Sequence, residues 1–210
     1  MGEFISLSGV IQATQAEVEG ALRSYCEAKG GVFGPATAKT DDDAILGIAQ
    51  NPTGVSIFYP DGFLEHAEDA SAFLSRALHK PVFWLHIHDG DLWMFVLFVD
   101  GVDTARFNPV PKYWEDDISP EEENSWKGDA KEIAKHVPGL EPESIDRYFK
   151  TWDFDDESPG KAYPDDETTY LDCWQMVDFI QKLGLPYASE DSDVASAAFE
   201  FRLPQQPFQP

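Results

Sequence analysis

The sequence predicts an α+β domain. Its core is a mainly antiparallel sheet in the order β-α-β-β-α-β-β-β, with two helices on one face and an acidic helical C-terminal extension behind. Three observations lead there. Two Asp-Gly pairs, Asp89-Gly90 and Asp100-Gly101, divide an apolar-rich run from Pro81 to Phe107 into the three strands of a meander. Two stretches ahead of that run carry apolar residues at helical spacing. Beyond Asn108-Pro109-Val110-Pro111 the composition shifts: residues 1–108 hold 15 acidic and 6 basic side chains, whereas residues 109–210 hold 24 and 9.

The elements follow in chain order. Ile5 to Ile11 reads as a strand. Thr14, with Glu17 three residues on, is a capping box that opens a helix with Val18, Ala21, Leu22, Tyr25 and Cys26 on one face and Gly30-Gly31 at its end. Ala44–Ala49 and Val55–Tyr59 read as strands joined through Asn51-Pro52-Thr53-Gly54. A second helix carries Ala70, Phe73, Leu74, Ala77 and Leu78 and stops before Pro81.

Two-residue Asp-Gly loops favour type I′ turns, so the first hairpin is expected to close on His88 and Asp91 and the second on Val99 and Val102. That register puts Phe83, Leu85, Ile87, Leu92, Met94, Val96, Phe98, Ala105 and Phe107 on a core face under the N-terminal helices. The other face then carries the rows Trp84, Phe95, Arg106 and His86, Trp93, Asn108, with His88 and Asp91 at the turn.

After the meander, Ser119-Pro120-Glu121-Glu122-Glu123 places a cap, a first-turn proline and carboxylates at a helix start. Asp129–Val137, Pro142–Trp152 and Leu171–Leu183 read as further helices. Trp114, Trp126, Trp152 and Trp174 need burial, and the second sheet face is the surface expected to provide it. Residues 1–200 are expected to form one domain, with a body over 1–108, an acidic helical extension over 109–200 and a Pro-rich tail over 201–210.

A formal charge of −24 in 210 residues disfavours phosphate backbones and anionic lipid and favours cationic partners. Lys127–Trp152 has the outline of a helix-turn-helix, but its five acidic and five basic residues leave none of the basic excess a DNA reader presents. No nucleic acid partner is expected. No apolar run reaches the roughly 18 residues of a membrane span, the N-terminus lacks a signal-peptide pattern, and the location expected is cytoplasmic. Cys26 and Cys173 have no metal-binding spacing and read as buried thiols. The stretch Gly34–Thr40 departs from a P-loop, Asp153–Glu157 departs from an EF-hand, and no Gly-x-Ser-x-Gly elbow occurs.

Chemistry, if present, concentrates on the face with Trp84, His86, Trp93 and Arg106, which are the ligand-binding candidates. His86 and His88 project from one side of a strand and, with Asp91 opposite, could hold zinc, iron or manganese. The competing reading pairs His88 with Asp91 and packs His86 on Trp93 as ordinary cross-strand contacts. No cofactor is expected and no catalytic residue is assigned. The leading functional expectation is a non-catalytic acidic protein-interaction protein, an immunity-type inhibitor of a basic partner. In composition alone it resembles the small bacterial immunity proteins that block basic toxins. The alternative is a small-molecule-binding protein or metal-assisted hydrolase using the His86/His88/Arg106 face.

Overall fold

The computed structural model describes residues 2–188 and 196–204. In chain order these form β1 (Ile5–Ile11), α1 (Gln15–Lys29), β2 (Val32–Pro35), β3 (Ile45–Gln50), β4 (Gly54–Phe58), α2 (Leu64–Leu78), β5 (Val82–His88), β6 (Leu92–Val99), β7 (Val102–Phe107), α3 (Pro120–Ser125), α4 (Ala130–His136), α5 (Gln175–Lys182) and β8 (Ser196–Arg202). All eight strands join one sheet in the order β2-β8-β3-β4-β1-β5-β6-β7, and every neighbouring pair is antiparallel.

Local signals act where the sequence places them. The Thr14 hydroxyl accepts from the Glu17 amide, the Glu17 carboxylate accepts from the Thr14 amide at 2.8 Å, and Gly30 ends α1 at φ +73°. The expected stripe of Val18, Ala21, Leu22, Tyr25 and Cys26 is the buried side of α1. Two strands were not anticipated. β8 brings the chain end back between β2 and β3, where Phe199 and Phe201 flank Phe33 (ring centroids 5.1 and 6.3 Å) and Phe201 meets Phe63 edge-on at 4.4 Å. Phe201 and Arg202 thus belong to a strand rather than to a Pro-rich tail; Leu203 and Pro204 follow it, and 205–210 lie outside the described residues. The alternation Ala197, Phe199, Phe201 against Ala198, Glu200, Arg202 has the two-residue period of a half-covered strand, but the nearby prolines hid it.

The meander forms with both Asp-Gly turns in left-handed backbone: Asp89 and Gly90 at φ +54° and +74°, Asp100 and Gly101 at +50° and +78°. Its register differs from expectation by one residue, twice. At the first turn the Asp91 amide donates to the His88 carbonyl at 2.9 Å, yet the ladder resumes on His88↔Leu92, so Asp91 is an extra loop residue. Further on, Phe98 pairs with Asp103 while Leu97 pairs with Ala105, which makes Thr104 the extra residue of a β-bulge. The first step turns β6 over and the second restores β7. Trp93, Phe95 and Leu97 therefore share a face with Phe83, Leu85, Ile87, Ala105 and Phe107, while Leu92, Met94, Val96 and Phe98 join Trp84, His86, His88 and Arg106.

The layers are exchanged as well. The N-terminal helices cover the face bearing Trp84 and His86: Ser71 of α2 lies 2.6 Å from Ser8, the cross-strand partner of Trp84, and the Ser75 hydroxyl donates to the Phe98 carbonyl at 2.9 Å. The second half covers the face bearing Leu85 and Phe107, with Phe179 of α5 stacked on Phe95 at 5.1 Å and 5.3 Å from Trp93. That half is less helical than expected. Three short helices are joined by long turn-rich stretches, and Pro142–Trp152 forms two 3-10 turns, Pro142–Ser144 and Asp146–Tyr148, instead of a helix. Side chains three apart eclipse in 3-10 geometry, so Ile145 and Tyr148 still reach the core without an α-helix, and the helix-turn-helix outline dissolves.

One hydrophobic cluster runs from Leu7 to Phe201 and takes in both halves. Phe179 is fully buried within it against Phe83, Trp93, Phe95, Tyr148 and Phe149. Phe179→Ala should cost about 3–5 kcal/mol in urea unfolding, within a single transition shared by both halves. A loss below about 1 kcal/mol would show that the second half contributes little to the common core.

Candidate functional site

Strand β5 aligns Trp84, His86 and His88 on one side, and the paired register fixes their neighbours. Ser6 stands across from His86, and its hydroxyl lies 2.8 Å from His86 Nδ1. His86 is 7% exposed, stacks on Trp84 (5.6 Å, 14° between planes) and points Nε2 at His88 Nδ1, 3.4 Å away. Burial, reinforced by the neighbouring His88, pulls the His86 pKa down to about 4. The ring is therefore neutral at pH 7. Buried beside it, the Trp84 indole N–H has no hydrogen-bond partner among the described residues.

His88 closes the arrangement at the surface. Its ring meets Phe4 at 5.0 Å, Tyr113 at 5.7 Å and Trp114 at 5.0 Å, all close to edge-on. Phe4 arrives because the N-terminal segment crosses the first Asp-Gly turn, where the Gly90 amide donates to the Glu3 carbonyl at 2.8 Å. Asp91 does not pair with His88. Its carboxylate accepts from the Tyr113 hydroxyl at 2.5 Å.

The structure thus brings Trp84, His86, His88 and Arg106 to one face and removes the other candidates. Trp93 lies on the opposite face, fully buried, where its indole N–H donates to Gln175 Oε1 at 3.3 Å. His86 packs on Trp84 and stands opposite Met94, not Trp93. Arg106 faces Val96 rather than Phe95; its guanidinium covers the Trp126 ring at 4.7 Å and approaches Asp103 at 3.6 Å. His86 and His88 remain a two-imidazole pair, and among the described residues no group of three His, Cys, Asp or Glu is placed to hold a metal ion. Cys26 and Cys173 are free, buried thiols with pKa values pushed up by burial to about 12 and 11. They are poor nucleophiles at neutral pH.

Trp114, expected to be buried against the second sheet face, instead stands at the surface on the histidine corner. Trp114 rests on His88 and on Tyr113 (5.1 Å), yet is 50% exposed, and Glu115, Asp116 and Asp117 follow it in solvent. The chain then enters α3, where Ser119 caps the Glu122 amide at 3.1 Å and Glu121 and Glu122 stand exposed. Phe154 repeats the pattern at 58% exposure, with Asp153, Asp155 and Glu157 exposed around it and the buried Trp152 beneath, 6.4 Å between rings. The Trp152 amide donates to the Pro109 carbonyl at 2.9 Å, which ties the segment ahead of Phe154 to the one that follows β7. The signal available in the sequence was an aromatic residue at or within each run of carboxylates, Trp-Glu-Asp-Asp and Asp-Phe-Asp-Asp-Glu.

Comparison with protein-family models, curated proteins and solved structures gave no match. No helix among the described residues is long and apolar enough to cross a membrane.

The neutral buried imidazole has a pH consequence. His86 titrates near 6.5 when unfolded and near 4 when folded, so its full stabilisation is present above pH 6.5. As pH falls from 6.5 towards 4 the unfolded chain takes up the proton first, and roughly 3 kcal/mol of stability is lost. His86→Gln, which keeps a polar partner for Ser6, should lose correspondingly less stability than the parent between pH 7 and pH 4 in denaturant titrations. Parallel pH profiles for the two proteins would remove His86 as the titrating group.

Proposed function

We propose that this protein is a non-catalytic acidic interaction protein, of the immunity-type inhibitor kind, that docks a basic protein on the surface carrying Trp114 and Phe154. One observation carries the reading: of the four exposed large apolar side chains among the described residues, Val32, Val102, Trp114 and Phe154, both aromatic ones adjoin runs of carboxylates, Trp114 directly before Glu115-Asp116-Asp117 and Phe154 within Asp153–Glu157. Exposed aromatic side chains are the commonest anchors of protein interfaces, and surrounding charge steers the partner before they engage. Trp114 is also held in place by His88 and Tyr113, which lowers the entropy lost on docking.

The rest of the charge distribution supports the same reading. The net −24 gives a long-range attraction for a cationic protein, felt over a Debye length of about 8 Å at physiological ionic strength. Residues 112–123 contain six carboxylates and one lysine, and Lys112 is already engaged by Glu123 at 3.2 Å. The burial of Trp84 and His86, at 8% and 7% exposure, favours this reading over a small-molecule binder or hydrolase built on the His86/His88/Arg106 face.

The partner is sought by capture from the native host at low salt with elution at high salt. One basic protein recovered at defined stoichiometry is expected, whereas diffuse capture of many basic proteins would reduce the charge to a solubility device. With that partner, Trp114→Ala should weaken binding by about 2–4 kcal/mol, mainly through faster dissociation. Joint neutralisation of Glu121, Glu122 and Glu123 to Gln should instead slow association and flatten its salt dependence while leaving the unfolding midpoint in place. Unchanged kinetics in both variants would move the interface elsewhere.

A further inference from the structure

A second feature lies in the layer that covers the opposite face of the sheet from His86. One side of α5 presents Val177, Asp178 and Gln181, with Trp174 one position before the helix, at the i, i+3, i+4, i+7 spacing of a single face. That face, the Glu167–Thr168 loop and Tyr187 line an open cavity of ≈380 Å³. Its lining combines two aromatic residues, Trp174 and Tyr187, with two carboxylates, Glu167 and Asp178, and contains no cation.

Asp178 is the unusual member. It is 4% exposed, on a helix whose other buried side chains are uncharged. Its carboxylate holds the loop: Oδ1 accepts from the Glu167 amide at 3.0 Å, and Oδ2 accepts from the Thr168 amide at 2.9 Å and from the Thr168 hydroxyl. A carboxylate offers about four acceptor positions, so one direction on Oδ1 stays unused. No cation of the described residues lies within ion-pair distance of it. The natural candidate, Lys182 at i+4, reaches instead to Asp165 at 2.7 Å and Asp166 at 3.8 Å and sits over the Tyr163 ring. A buried carboxylate ordinarily has a cationic partner as well as hydrogen bonds. Asp178 is also one of the residues that line the cavity, which has room for such a partner.

We propose that this cavity is a binding pocket for an organic cation of guanidinium type, held between the Asp178 and Glu167 carboxylates with its plane against Trp174 and Tyr187. A planar guanidinium is the cation that pairs with carboxylates and stacks on aromatic rings at once. The same chemistry is carried by a free small guanidinium compound and by an arginine side chain of another protein. The pocket is independent of the Trp114 and Phe154 surface, so either proposal can fail without the other.

The test uses the full chain and two matched pairs of probes, with binding followed by calorimetry and by the indole resonance of Trp174. Methylguanidinium is compared with the neutral isostere methylurea, and blocked Gly-Arg-Gly with blocked Gly-citrulline-Gly. Saturable one-to-one binding of at least one cationic probe is expected, about ten-fold or more tighter than its neutral counterpart. Tighter binding of the free cation identifies a small-molecule pocket, and tighter binding of the peptide identifies a receptor for an arginine side chain. Glu167→Gln, at an exposed rim position, and Trp174→Leu should each weaken the cation about five-fold or more, with the Glu167→Gln unfolding midpoint unchanged; they supplement Asp178→Asn, which also loosens the loop. Absence of saturable binding by both cationic probes, or equal binding of charged and neutral partners, would overturn the proposal.

Discussion

The position of β6 between two covered faces is the constraint on which the rest of the structure depends. Leu92 to Val96 are all 5% exposed or less, so both sides of this strand are core, and either register would bury apolar groups. What selects between them is the shape of the two layers. The face with Trp93, Phe95 and Leu97 receives Phe179, Tyr148 and Phe149, a set of large rings that interleave with large rings. The face with Met94, Val96 and Phe98 receives α2, whose Ala67, Ala70, Ser71 and Ser75 allow close approach of helix and sheet. Asp91 and Thr104 are the single-residue insertions that let β6 present Trp93 and Phe95 to one layer and Met94 and Val96 to the other while β5 and β7 keep their faces.

Most buried polar side chains are paired, and they tie long connections to the sheet. Ser8 joins Tyr59 (2.8 Å) and Ser71 (2.6 Å), and Asn51 caps its own turn while donating to the Gly184 carbonyl at 2.9 Å. In the second half buried carboxylates take the same role. Asp166 accepts from the Tyr148 hydroxyl at 2.7 Å and from the Tyr163 amide at 2.9 Å, and Asp178 holds the next loop. A segment with little regular structure is thereby fixed by hydrogen bonds to charged acceptors, which are stronger than neutral ones. Acidic composition therefore serves two ends: some carboxylates order the fold from within, and the exposed runs around Trp114 and Phe154 shape its surface.

The amino-acid sequence by itself determined the elements whose signals are local. The capping box at Thr14, the stop at Gly30, the two Asp-Gly turns, the strands of the meander and the helix start at Ser119 are settled by groups a few residues apart, and each forms where those groups stand. His86 and His88 meeting on one face, with Trp84 beside them, was legible too, because neighbours two apart on a strand share a side. Tertiary structure decided what local signals leave degenerate. The register of β6, the layer each helix group covers, the loss of Trp93 from the His86 face and the pairing of β8 with β2 and β3 all depend on contacts between residues far apart in the chain. A strand apolar on both sides carries no alternation to mark its inward face, and a one-residue insertion changes nothing nearby while reversing every side chain beyond it.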